Sequence, residues 1–385
     1  MSKQSTLIQS EEARELVSAI GGLIREFLSF VSGAGAGTIF SQVDNNKDAL
    51  HNMEPAIKEA AVRFRERPDL FQDDKLVGYG AEYTTAVAHP VRIEVRQVAG
   101  EPGVAQIAAR GITGEFRRIV LEFFREHAHI PADRFYVRLS GRASFEINIA
   151  GVNKALPLHY ASERWEAVLE AIAYKPGPGV DARRTRTLIA ADADGTTWDS
   201  PRDGKAPELN TSAALPALTE YLRHGGIYLI ISGNHLDRTV ARVGRHLEVD
   251  CRRNLLISAN GGANLVYFNE AGDPVESEEY RSEALAVADA KSSFALDAVY
   301  LGDDGRPSGN DREAFEAIGP EHSILVANPA STDIIPFLTT RTIGGLVDGT
   351  RRVLEYVNGV IREHPHQEIF TQANLAALVR AASQA

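Results

Sequence analysis

The chain carries a single cysteine, Cys251. One thiol forms no internal disulfide and supplies no thiolate cluster for zinc. No stretch has the uninterrupted apolar length of a membrane span. The opening MSKQSTLIQSEEARELV has no signal-peptide core and soon turns acidic, so the cytoplasm is the expected compartment. An excess of positive charge is missing too. The net charge of −11 is spread along the chain, which argues against nucleic acid or an anionic membrane as the main partner. The glycine-rich SGAGAGT (32–38) lacks the lysine of a phosphate-binding P-loop and reads as a hinge or turn. No glycine fingerprint follows the first apolar run of the second half, which counts against a dinucleotide site.

A length of 385 residues suits two domains. The second half repeats one pattern of short apolar runs: TLIAA (187–191), IYLII (227–231), NLLIS (254–258), AVYLG (298–302) and SILVA (323–327). Helical patterns stand among them, at ALPALTEYLRH (214–224), DREAFEAIG (311–319) and GTRRVLEYVNGVIREH (349–364). The alternation predicts an α/β, Rossmann-like fold with a mainly parallel sheet covered on both faces. Ligands of such sheets bind beyond the carboxyl ends of the strands. The polar clusters DADGTT, SGNHLDR and DDGRPSGND stand at the ends of the first, second and fourth runs.

The first 180 residues read as a separate α+β domain. Helices are expected at 10–31, 54–67 and 112–129, and strands at 83–98, 134–141 and 143–151. The boundary falls in YKPGPGVDARRTRT (174–187), rich in proline, glycine and arginine. The expected organisation is an N-terminal helical segment (1–45), an α+β domain (46–178) and a core (179–385). The first helix can pack on the core or on another subunit, which leaves a homo-oligomer open.

Asp192 and Asp194 end the first core strand two residues apart. Like charges at a strand end are costly unless they are paired or hold a cation. A hard cation such as Mg2+ suits carboxylates, water and a substrate phosphate. One aspartate can then attack phosphorus. The other points the same way along an extended chain and can move the leaving-group proton. Gly195 permits a sharp turn and Thr196 offers a hydroxyl, while Ser232 and one lysine can hold the phosphate. A calcium loop is the plain competitor, but the glycine stands too early and no glutamate fills the twelfth position.

In this order, DADGTT, Ser232-Gly233 and LGDD with GNDREAF resemble the haloacid dehalogenase (HAD) superfamily of phosphohydrolases. ISANGGANLVYF (257–268) is similar to the strand and turn after the family's second motif. The tail SILVANPASTDIIPFLTTRTIGGLVDGTRRVLEYV resembles the closing segment of its sugar-phosphatase branches, so that the likeness covers about residues 185–360. The resemblance implies a HAD core with an α+β cap. It makes Asp192 the nucleophile and a magnesium ligand. Asp194 becomes the acid/base and gives a backbone carbonyl to the metal. Ser232, with Gly233 and Thr196, holds phosphate, and Asp303 completes the metal site. GRPSG separates Asp303-Asp304 from Asn310-Asp311 more widely than the family pattern, so either Asp304 or Asp311 supports the metal.

The family carries its phosphate-holding lysine between the second and last motifs, where Lys291 stands here. FEINIAGVNKAL (145–156), however, resembles the cap-to-core return of trehalose- and sucrose-phosphate phosphatases. That points to Lys154, preceding the core as in a circular permutation, and to Glu146 as a cap contact to substrate. A solvated lysine at a helix start is the bland reading of Lys154. The implied protein is a Mg2+-dependent phosphatase of a small phosphorylated metabolite, a sugar phosphate such as trehalose 6-phosphate, working through an aspartyl-phosphate. A phosphomutase and a sugar-phosphate sensor without turnover stand as alternatives.

Overall fold

The computed structural model describes residues 151–172, 187–199, 209–234, 236–244, 246–287, 296–306, 309–327, 334–365 and 367–384, together with six earlier strands. The chain divides into two compact units, the second opening at Gly151. The described strands of the first unit are β1 (Ile8–Gln9), β2 (Gly80–Tyr83), β3 (Val91–Gln97), β4 (Gly103–Arg110), β5 (Phe135–Ser140) and β6 (Ser144–Ile149). They form an antiparallel sheet in the order β2-β3-β4-β6-β5, with β1 added on β4. The hairpin expected over 134–151 is β5–β6, while β4 was not foreseen. Its sequence, GVAQIAAR, is rich in alanine and poor in the β-branched residues that mark strands. The helices expected at 10–31, 54–67 and 112–129 lie outside the described residues.

The second unit opens with α1 (Leu156–Glu163) and α2 (Trp165–Ala171). Then come β7 (Thr187–Asp192), α3 (Leu215–Arg223), β8 (Ile227–Ile231), α4 (Leu236–Gly244), α5 (Val249–Arg252), β9 (Leu255–Ala259), β10 (Asn264–Phe268) and β11 (Pro274–Glu276). The order closes with α6 (Glu278–Val287), β12 (Asp297–Gly302), α7 (Arg312–Ile318), β13 (Ser323–Leu325), α8 (Val347–Glu363) and α9 (Gln372–Gln384). Seven strands make one sheet, β11-β10-β9-β8-β7-β12-β13. The five from β9 to β13 in that order run parallel, and β10 and β11 extend the edge antiparallel.

Every residue of β7, β8 and β9 is buried, as continuous apolar runs require when helices cover both faces. Ile189, Tyr228, Ile257 and Val299 share one core with α3, α8 and α9. On α8 that core takes Val353, Leu354, Val357 and Ile361, a stripe at helical spacing. Tyr300, alternating to the other face, meets Phe315 of α7 edge to face, with ring centroids 5.1 Å apart.

The order of the sheet fixes where a site can form. From β7 the chain steps through β8 to β9, then returns to the opposite side of β7 for β12 and β13. The strand order reverses between β7 and β12, and in such sheets ligands bind beyond the carboxyl ends at that point. Asp192 ends β7 and Gly302 ends β12.

Residues 151–172, expected in the domain 46–178, group with the sheet of the second unit. Leu156, Leu158, Tyr160 and Ala161 of α1 are buried, and α1 packs on α6 and α7. The proline- and glycine-rich stretch that suggested the boundary lies, Thr187 apart, outside the described residues. Gly151, at φ 84°, marks the turn that begins the second unit. Among the described residues no helix is long and apolar enough to cross a membrane.

Two glycines test this packing. A Cβ at Gly226 would stand 2.2 Å from Cζ of the buried Tyr221 ring, whereas one at Gly359, inside α8, meets nothing within 4 Å. Gly226→Ala should therefore destabilise the unit by about 1–3 kcal/mol through overpacking. Gly359→Ala should stabilise it by about 0.5–1 kcal/mol through helix propensity. Urea unfolding of both variants checks the pair.

Candidate functional site

Lys154 comes from the turn GVNK that leads into α1. Asn153 Oδ1 accepts the Ala155 N–H at 2.8 Å, and Pro157 stands in the first turn of the helix. The turn is seated on a neighbouring loop. A Cβ at Gly262, where φ is +104°, would lie 2.0 Å from the Asn153 carbonyl oxygen, so only glycine lets the two backbones approach. Tyr280 of α6 donates its hydroxyl to the Gly262 carbonyl at 2.6 Å and meets Tyr160 of α1 edge to face at 4.9 Å. These contacts deliver the Lys154 side chain, fully buried, to the mouth of β7.

There the ammonium lies between two carboxylates. Nζ is 2.6 Å from Asp192 Oδ1 and 2.6 Å from Asp311 Oδ1. Asp311 is itself fixed on both oxygens. Tyr300 donates its hydroxyl to Oδ1 at 2.9 Å, and the Asp304 N–H reaches Oδ2 at 3.1 Å. Gly302 makes room for it, since a Cβ there would meet Asp311 Oδ2 at 2.7 Å. Asp192, Asp303 and Asp311 each present an oxygen, and these three atoms lie within 4.8 Å of one another.

Three carboxylates facing one ammonium leave a surplus of negative charge. Burial alone would lower the Lys154 pKa, but Asp192 and then Asp311 outweigh it and hold the ammonium charged beyond its usual range. Burial pushes Asp192 well up, with Lys154 pulling against it. Asp303 is raised from 3.8 to about 7, first by burial and then by the Asp311 charge. The donors are all hard oxygens, on buried Asp192 and Asp311 and half-buried Asp303, which fits a cation such as magnesium or calcium and does not choose between them.

A second group forms around Asp194. Gly195, at φ 87°, turns the chain back so that its N–H reaches the Trp198 carbonyl at 2.7 Å. The Trp198 indole Nε1–H donates to Asp194 Oδ1 at 2.7 Å, the Asn234 amide Nδ2 donates to Oδ2 at 2.6 Å, and an Arg242 guanidinium nitrogen stands 3.7 Å from Oδ1. Thr197 fixes the strand end by donating Oγ1 to the Asp192 carbonyl at 2.7 Å. Ser232 is buried at the end of β8, and its Oγ accepts the Asn234 N–H at 3.0 Å. Thr196 Oγ1 is buried without a hydrogen-bond partner among the described residues.

The structure thus brings Lys154, Asp192, Asp303 and Asp311 together, with Asp194, Thr196 and Ser232 on the adjoining turns and Gly233 directly after Ser232. It separates Asp304 from them. Both Asp304 oxygens take Arg306, at 2.7 and 2.8 Å. Burial would raise its pKa, and the hydrogen bonds and charge of Arg306 more than reverse that. Of the two alternatives at the last motif, Asp311 joins the group. Lys291 lies outside the described residues. Glu146 sits on β6 of the first unit, with its backbone paired to Ala108 and Arg138.

Trp198, Asn234, Arg242 and Tyr300 were not picked out from the sequence. Trp198 stands four residues beyond Asp194, and Tyr300 reads as one more apolar residue of AVYLG. No protein-family model matches the chain, and no curated protein does.

The carboxylate surplus generates a pH dependence. Asp303 binds its proton more tightly folded than unfolded, so its ionisation lowers stability as pH rises from about 4 to about 7. A bound divalent cation removes that penalty. Magnesium should therefore raise the melting temperature more at about pH 8 than at about pH 5, and Asp303→Asn should reduce the difference. Thermal unfolding with and without the ion checks it.

Proposed function

We propose that the second unit is a HAD-type core and that the protein is a magnesium-dependent phosphatase of a small phosphorylated metabolite. The substrate we propose is a sugar phosphate of the trehalose 6-phosphate kind, and the compartment we propose is the cytoplasm. One observation carries the reading: Lys154 is held between Asp192 and Asp311, with Asp303 beside them, at the point where the strand order of the sheet reverses. A buried group of this charge at that place suits a phosphate and a cation better than an apolar ligand.

Asp192 is the nucleophile. Lys154 occupies Oδ1, and among the described residues Oδ2 has no hydrogen bond, which leaves it for attack on phosphorus. The bond from phosphorus to the sugar oxygen breaks as the Asp192 Oδ2–phosphorus bond forms. Asp194 gives its proton to the departing oxygen. It then takes a proton from water, which attacks the aspartyl-phosphate, releases inorganic phosphate and restores Asp192. The Ser232 hydroxyl donates to an equatorial phosphate oxygen, and the Lys154 ammonium offsets the charge gathering there. Magnesium held by Asp192, Asp303 and Asp311 would supply further neutralisation of that charge.

The test is phosphate release from a panel of sugar phosphates, trehalose 6-phosphate included, with and without magnesium. Release should require the ion and should fall on the order of a thousandfold or more in Asp192→Asn. Sugar phosphates that bind without any release would overturn the phosphatase and favour a mutase or a sensor.

A further inference from the structure

Asp194 is the most constrained polar group of the site that touches neither Lys154 nor the three-carboxylate group. Its two oxygens are taken by different elements. Oδ1 accepts the Trp198 indole from the turn after β7, and Oδ2 accepts the Asn234 amide from the turn after β8. An indole nitrogen only donates, and Trp198 is fully buried, so this contact fixes the direction of the carboxyl plane from the core side. Asn234 is tied as firmly. Its N–H bonds Ser232 Oγ at 3.0 Å, and its carbonyl accepts the Asn260 N–H at 2.9 Å. With Trp198 on one oxygen and Asn234 on the other, and the Arg242 guanidinium 3.7 Å from Oδ1, the carboxyl cannot rotate without breaking a bond. Because Ser232 Oγ already accepts from Asn234, its own hydroxyl proton is free to point at a ligand oxygen.

We propose that Trp198 and Asn234 are positioning residues, which hold the Asp194 carboxyl in the attitude needed to protonate the leaving-group oxygen. The proposal rests on the phosphatase reading above. Proton transfer demands hydrogen-bond reach and alignment at the moment of bond breaking, and misplacement by about 1 Å can cost a hundredfold. The clamp therefore acts on the step that needs the proton and leaves phosphate binding alone.

That division gives a readout a merely structural role would not move. Trp198→Phe keeps the ring bulk and removes the donor. Asn234→Ala removes the amide and keeps the backbone bonds to Ser232 and Asn260, so a folding failure in one variant leaves the other. Each is assayed by rapid quench for leaving-group release in the first turnover, before the aspartyl-phosphate is hydrolysed, on a sugar phosphate, whose leaving oxygen needs a proton, and on p-nitrophenyl phosphate, whose leaving group departs as a stable anion. On the sugar phosphate the saturating first-turnover rate should fall about 10- to 100-fold with the half-saturating concentration little changed, and on the aryl phosphate by less than about threefold. Equal losses of that rate on both substrates, no loss on either, or a rise on the sugar phosphate overturn the proposal. A parent protein that releases phosphate from neither substrate fails the phosphatase reading itself, and this inference with it.

Discussion

The rest of the site depends on one ammonium, Lys154, held at 2.6 Å from both Asp192 and Asp311. Asp192 ends β7 and Asp311 stands at the head of α7, so the lysine ties the central strand to the loop that follows β12. Without it, buried carboxylates would face each other with nothing between them, an arrangement proteins avoid. The loop geometry follows from that pairing. Gly302 must be small because Asp311 leans over it, and Gly309 because a Cβ there would meet Asp304 Oδ1 at 2.5 Å.

The lysine arrives from outside the sheet's own sequence. It is 38 residues before Asp192 and 157 before Asp311, yet α1 settles between α6 and α7, the helices that flank β12 in the chain. Position in space, not order along the chain, completes the charge balance. The seat is made of close backbone approach at Gly262 and the Tyr160–Tyr280 contact, both of which are insensitive to chain order. The first unit ends at Ala150, and its antiparallel sheet is built from a separate set of strands.

The core of the second unit was legible because strands buried on both faces must be apolar at every position, and IYLII admits few other readings. The doublet Asp192 and Asp194 was legible because charge at such a strand end has a cost that calls for a reason. Three things were not. β4 lacks the β-branched residues that announce a strand. The unit boundary hid behind a proline-rich stretch louder than the single Gly151. The choice between Asp304 and Asp311 turned on Arg306, which claims Asp304 through a contact that spacing does not encode. The Asp194 clamp was equally silent, since Trp198 and Asn234 meet only after β7 and β8 have paired.

The central claim is that Lys154 and Asp311 form one electrostatic unit with Asp192. A double-mutant cycle with Lys154→Met and Asp311→Asn, read by urea unfolding, tests it most directly. Removing one partner leaves a buried charge uncompensated, while removing both relieves it, so the account predicts a coupling energy of about 1–3 kcal/mol. Losses that simply add would contradict it.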